Sequence, residues 1–253
     1  MPAFASLWAA SAAALRVASL NLCTDEYLLL LAKPGEIASV SHLSRDPRES
    51  VLWREARRHA ANAGSLERAL QPRPTLLLTM GGGGGRSTAL LARRLGIRVL
   101  DLPYPASIAD VERQSVRVAA ALGDPRRALP LLRQVADLHR KAPSKARDVA
   151  FLGGGGLSLD PAALGAQWMR LAGLQQRALA DGRLSLETLA TRPPQLLLRS
   201  DYRSGQWSRD AAWLRHPLVR RLERRTVRVD GRSWTCAGLP MIAEVRRLQE
   251  RFR

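Results

Sequence analysis

One stretch of this chain occurs twice. Ser65-Leu66-Glu67, Pro74 and Leu76-Leu77-Leu78 return as Ser185-Leu186-Glu187, Pro194 and Leu196-Leu197-Leu198, with every gap preserved. Two copies of one pattern call for two copies of one structural unit, so the repeat constrains architecture before any local reading. Fainter echoes flank it in the same order. Upstream, Val17-Ala18-Ser19-Leu20 resembles Val149-Ala150-Phe151-Leu152. Downstream, Arg94-Leu95-Gly96-Ile97-Arg98-Val99 resembles Arg221-Leu222 leading to Thr226-Val227-Arg228-Val229. The leucine triplets leave no polar face, as in a strand covered on both sides. Apolar strands alternating with helical stretches imply βαβ units, and hence two related α/β lobes with parallel sheets.

Taken in order, strands are expected at 16–20, 37–40, 75–79 and 97–102. Helices are expected through Ala32 from a cap at Thr24 or Asp25, around Glu67 with Ser65 as cap, at 87–95 and at 107–122; a charged segment with Trp53 fills 49–61. Gly123-Asp124-Pro125 then opens a helix over 125–142, which Pro130 should kink or deprive of a hydrogen bond. The first-half pattern restarts at Val149, so this helix is the expected connector between a lobe at 15–124 and a lobe at 143–253. The second lobe reads as strands 149–152, 195–199 and 226–229 with helices 161–172, 185–191, 210–222 and 239–252. A loop from Asp230 to Cys236 precedes the last helix. Trp168 and Trp213 sit at helical spacing and read as core.

At 253 residues the chain is long enough for two such lobes. Of its 40 lysines and arginines only Lys33, Lys141 and Lys145 are lysine, and the net charge is +18. A basic chain suggests an anionic partner such as nucleic acid. Nucleic-acid binding would need clustered arginine with exposed aromatics, whereas here arginine is dispersed and aromatics are 5%. Residues 1–14, MPAFASLWAASAAA, have the apolar stretch and Ala-x-Ala ending of a secretory signal, without its basic start. The two cysteines fit a periplasmic protein with one optional bridge. Gly81–Gly85 stands between a strand and a helix, but no Gly-Lys-Ser/Thr follows, so a nucleotide loop is not indicated. The four histidines are scattered without metal-ligand spacing, and no nucleophile elbow or catalytic carboxylate pair occurs. Neither a metal site built by the protein, nor a resident cofactor, nor an enzyme is expected; a two-lobed α/β enzyme is the weaker alternative.

The chain resembles the substrate-binding proteins of iron-siderophore, haem and cobalamin ABC importers. The resemblance rests on R-V-A-S-L-N-L-C-T-D at 16–25, G-S-L-E-x6-P-x-L-L-L at 64–78, L-G-I-R-V-L at 95–100, S-I-A-D-V at 107–111, the second S-L-E, and W-T-C at 234–236. It implies two Rossmann-like lobes joined by one long helix, with the ligand in a cleft between them, and a monomer outside the membrane. It also implies that Glu67 and Glu187, one in each copy of the repeat, dock on the importer's permease. In open α/β sheets ligands lie beyond the carboxyl ends of strands. The candidates there are Asn21, Cys23, Thr24, His42, Gly81, Arg86, Tyr104, Gly154, Tyr202, Arg203, Trp207, Arg232 and Trp234. The aromatics would offer planes to a flat metal chelate and the arginines hooks for its carboxylates. His42 alone is placed to reach a chelated metal. Cys23 and Cys236 each follow a strand on the cleft side and are expected to form a bridge across it, two separate thiols being the alternative.

Overall fold

The computed structural model describes residues 14–83, 85–203 and 212–252. Residues 1–13 of the expected signal segment, Trp207, and the first part of the helix expected at 210–222 lie outside the described residues.

In the first half, β1 (Val17–Ser19), β2 (Ile37–Ser41), β3 (Ala60–Asn62), β4 (Leu76–Met80) and β5 (Arg98–Leu102) form a parallel sheet ordered β3-β2-β1-β4-β5. In the second half, β6 (Arg147–Leu152), β7 (Leu174–Gln176), β8 (Leu196–Ser200) and β9 (Thr226–Val229) form a parallel sheet ordered β7-β6-β8-β9. The second order reproduces β2-β1-β4-β5 of the first. The sequence echoes fall on corresponding strands: Val17 opposes Leu76 as Val149 opposes Leu196, whereas Arg98 opposes Leu76 but Arg228 opposes Arg199, so the downstream echo is shifted by three residues.

Alternate side chains of a strand point to opposite faces, and that rule sorts the core. Val17, Leu76, Leu78 and Met80 from one sheet, with Val149, Phe151, Leu198, Val227 and Val229 from the other, belong to a single apolar cluster. The intervening residues face outward into two separate clusters. Ala18, Leu20 and Leu77 pack with Leu66 in the first, and Ala150, Leu152 and Leu197 pack with Leu186 and Leu189 in the second. Each Ser-Leu-Glu copy therefore lies on the outer side of its sheet, with its leucine inserted and its glutamate exposed.

Between the sheets run α4 (Ile108–Ala121), a 3-10 turn (Pro125–Ala128) and α5 (Leu129–Arg140). The helix expected at 125–142 is thus divided. Pro130 sits in the first turn of α5, where a missing N–H leaves no hydrogen bond unmade, so no kink results. α4 packs on α1 (Leu22–Leu31) from the first half and on α6 (Leu164–Leu171) from the second. Tyr27 Oη donates to Gln114 Oε1 on α4 at 3.0 Å, and the Ile108 N–H donates to Gln167 Oε1 at 3.3 Å. α5 packs on the C-terminal helix Met241–Phe252, where Gln249 Nε2 donates to the carbonyls of Leu138 and Leu171.

Further differences from expectation are local. The charged segment 49–61 holds only a short helix, α2 (Trp53–Ala56), and β3. Around Glu67 there is a 3-10 turn, Glu67–Ala69, and Ser65 does not cap it. The Glu67 carboxyl lies below the usual range because its own backbone N–H and the Ser65 hydroxyl donate to it. Ser185 does cap the equivalent α7 (Leu186–Thr191), accepting from the Thr188 N–H. Residues 231–236, expected as a loop, form a helix, Gly231–Cys236, capped by Asp230.

α1 is held to the end of β2 by Asp25. Its buried carboxyl accepts from the Ser41 N–H at 3.1 Å and from Ser41 Oγ at 2.5 Å. Burial outweighs these bonds and pushes the carboxyl from 3.8 up to about 6. The folded chain then keeps a proton that the unfolded chain has released, so this contribution to stability is full below 3.8 and lost as pH rises through about 6. Asp25→Asn removes the titration. Urea denaturation across a pH series should show the parent losing about 3 kcal/mol more than Asp25→Asn between roughly pH 4 and pH 7; parallel curves would contradict the assignment.

Candidate functional site

Segments that follow the strands of one lobe meet segments that follow the strands of the other. The bond between Cys23 on α1 and Cys236 on the helix Gly231–Cys236 joins them, with Cα atoms 5.4 Å apart and 213 residues of sequence between. Beside it, Glu49 from the loop after β2 receives Tyr202 Oη at 2.5 Å and the Arg203 guanidinium, both from the loop after β8. Arg232 adds a third tie: it pairs with Asp230 at 2.5 Å and donates to the carbonyls of Pro47 and Ser50 at 2.6 and 3.3 Å.

Three hollows flank these ties. The first, about 280 Å³, is lined from both lobes: Cys23, Glu26, Tyr27, Met80 and Tyr104 on one side, Leu159, Leu164, Trp234 and Cys236 on the other. Its walls are mostly apolar, and the Trp234 ring rests on Phe151 with centroids 4.9 Å apart. Tyr104 stands at the rim, 73% exposed. Gly81 has φ +62°, and a side chain there would collide with the Tyr104 ring, so the glycine leaves space for that tyrosine. The second hollow, about 740 Å³, is also lined from both lobes, by Pro47, Arg48, Tyr202, Arg203, Arg232 and Arg247 among others. The third, about 750 Å³, belongs to the first lobe and is lined by His42, Arg45, Arg48 and Arg57.

The structure brings Cys23, Tyr104 and Trp234 together at the small pocket, and Tyr202, Arg203 and Arg232 at the second hollow. His42 is exposed and lies apart from both, beside Arg45 and Arg48. Asn21 and Thr24 line none of the three hollows, and the cap expected at Thr24 or Asp25 is displaced to Asn21. Asn21 caps α1, its Oδ1 accepting from the Thr24 N–H at 3.0 Å, and Thr24 is fully buried with its hydroxyl 2.7 Å from Ser19 Oγ. Arg86 and Gly154 are exposed and line none of the three hollows. Glu67 and Glu187 are exposed on the outer side of their sheets.

Sequence reasoning missed Glu26, Tyr27 and Glu49. Helical spacing from Cys23 would have found the first two, since positions three and four residues along α1 share its face. Nothing local marks Glu49, whose partners are 153 and 154 residues away. Among the described residues no group of three or more His, Cys, Asp or Glu is placed to hold a metal ion. No described helix is long and apolar enough to cross a membrane.

The arginines that look like free hooks are already engaged: Arg48 pairs with Asp46, Arg203 with Glu49, Arg232 with Asp230 and Arg247 with Glu244. Glu49 is the only one of these carboxylates whose bonds cross between lobes. Glu49→Ala should speed hydrogen exchange in 46–50 and 200–203 by tenfold or more and leave α6 and the Met241–Phe252 helix unchanged. Uniform exchange throughout would show that the contact holds nothing.

No family model matches the chain, and no curated protein does. Solved structures match nearly all of it. The periplasmic heme-binding protein RhuT from Roseiflexus sp. RS-1 is 21% identical, with a TM-score of 0.67 over 94% of this chain and 98% of its own. The periplasmic heme-binding protein HutB of Vibrio cholerae is 18% identical, with a TM-score of 0.72 over 94% and 98%. The periplasmic vitamin B12-binding protein BtuF of Vibrio cholerae is 14% identical, with a TM-score of 0.64 over 93% and 95%. These neighbours are binding proteins, and the present chain has their fold: two α/β lobes with parallel sheets, facing one another across a cleft.

Proposed function

We propose that the chain is the substrate-binding protein of an ABC importer, receiving a metal chelate of the haem, cobalamin or ferric-siderophore kind between its lobes. The observation that carries this reading is the pair of hollows lined from both lobes at the carboxyl ends of their strands, where ligands of open α/β sheets bind. The fold shared with proteins named for heme and vitamin B12 supports the ligand class. These neighbours are periplasmic proteins, which supports export of this chain, with residues 1–14 as the signal. The chain acts as a monomer, binds cargo and catalyses nothing. Lobes at 15–124 and 143–253 joined through 125–142 describe its division, with α4 packed against both. Glu67 and Glu187 would dock on the permease: they are exposed, occupy equivalent places, and stand on outer faces away from the cleft.

Titration of the purified chain with haemin, cyanocobalamin and a ferric siderophore, followed by absorption and tryptophan quenching, tests the reading. One of the three should bind at one equivalent with a dissociation constant of about 1 μM or tighter. Failure of all three removes the proposal. Replacing Glu67 and Glu187 together by Ala should leave that affinity within about fivefold, since exposed substitutions away from a site rarely cost more than about 1 kcal/mol. Uptake through the cognate importer should fall sharply. Unchanged uptake would end the docking assignment.

A further inference from the structure

Two residues that line the small pocket each hold a buried polar atom without a hydrogen-bond partner, Glu26 Oε2 and Trp234 Nε1. Such atoms are uncommon in folded proteins and costly to leave unmet, so each calls for an account. The Glu26 side chain is only 4% exposed. It lies so near the backbone of Gly238 that a Cβ there would come within 2.6 Å of Oε2. In this position the carboxyl occupies space that a side chain at 238 would take.

Charge in the pocket is equally telling. The chain carries 40 lysines and arginines, yet none lines this pocket, and no histidine does. The titratable groups that line it are Glu26, Tyr27 and Tyr104, and Tyr27 is occupied with Gln114. Burial, followed by the neighbouring Asp25 carboxylate, holds Glu26 well above the usual carboxylate range. In its protonated form Glu26 offers one O–H donor and one carbonyl acceptor, and the Trp234 indole is a donor only. Their complement is a group that accepts two hydrogen bonds and donates one. A carboxylate would accept both bonds but would lose its hydration with no cation nearby. A cation would require Glu26 to ionise.

We propose that this pocket is a subsite for a neutral carboxamide: its carbonyl accepts from the Glu26 O–H and the Trp234 N–H, and its N–H donates to the Glu26 carbonyl oxygen. Met80, Tyr104, Leu159 and Leu164 enclose the apolar frame that carries the amide. At about 280 Å³ the pocket holds one peripheral group of a larger ligand whose body passes Tyr104 at the rim. That last step rests on the receptor reading above and deepens it: the cargo carries amides, not only acids, on the edge that enters first.

The test uses three probes of one shape: benzamide, benzoate and benzamidine, measured by calorimetry and saturation-transfer NMR on the disulfide-bonded chain. Benzamide should bind with a dissociation constant on the order of 1 mM or tighter, and benzoate at least tenfold more weakly. Because the neutral form of Glu26 binds, benzamide affinity should hold at low pH and fall as pH rises and Glu26 ionises. Asp25, Tyr27 and Tyr104 are the other groups facing it, and none supplies a positive charge. Glu26→Gln should keep benzamide binding and abolish the pH dependence, Glu26→Leu should lose binding, and Trp234→Phe should weaken it severalfold. Benzamidine binding more tightly than benzamide, with affinity rising with pH, would overturn the proposal in favour of a cation site. Equal binding of all three, insensitivity to Glu26→Leu in a chain with parental exchange protection, or no benzamide binding would also overturn it. A chain that takes haemin or cyanocobalamin but ignores benzamide refutes the subsite and leaves the receptor standing. Benzamide binding without uptake of any chelate keeps the pocket and removes the receptor.

Discussion

The inner faces of the two sheets are parts of one apolar core. Alternate residues of β1, β4, β6, β8 and β9 point into it, together with Trp168, Leu138 and Leu248 from helices between and beyond the sheets. Its interior is not divided at the lobe boundary. Core of this kind is close-packed, so separating the lobes would expose apolar surface at about 25 cal/mol per Å². Every other feature of the cleft follows from that. The strand ends are held at a set separation, the loops after them can meet, and the ties formed by Cys23, Glu49 and Arg232 are made between parts already in place.

Much of this was legible in the sequence, and the reason is the repeat. Copies of Leu-Leu-Leu with a Val-Ala strand upstream fix which strands are central, and the observed registers place Val17 and Val149 identically. β3 and β7 were not legible. Each is three residues long, and Ala60-Ala61-Asn62 has no strand character until β2 offers it a partner. The helix Gly231–Cys236 was missed because Asp-Gly reads as a turn, while Asp is equally an N-cap. Gly231 lies where any side chain would strike Ser200 and Tyr202, so the glycine reports a close approach and not a bend. Pro130 misled in the opposite direction, since its cost depends on its place in the helix and two residues decide that place.

In the site, sequence identified the residue types but not their employment. Tyr202, Arg203 and Arg232 do stand at the cleft, yet Tyr202 and Arg203 are turned on Glu49 of the opposite lobe and Arg232 is divided between Asp230 and the carbonyls of Pro47 and Ser50. The net charge of +18 does not translate into free hooks at these positions, because Arg48, Arg203, Arg232 and Arg247 are paired with Asp46, Glu49, Asp230 and Glu244. At the small pocket, which no arginine lines, the Glu26 carboxyl is left unmatched. Glu26 is invisible to any search for clustered charge, because what distinguishes it is the absence of a partner.

The bond between residues 23 and 236 also changes what the molecule is as an object. The backbone from one cysteine to the other, closed by sulfur, is a ring. A protease that opens a loop inside it, such as the one after β8, produces a nicked ring and not two molecules. Both halves remain covalently attached, and the shared core holds their faces together. A single internal cut would thus add one water to the mass but release no fragment until a reductant was added.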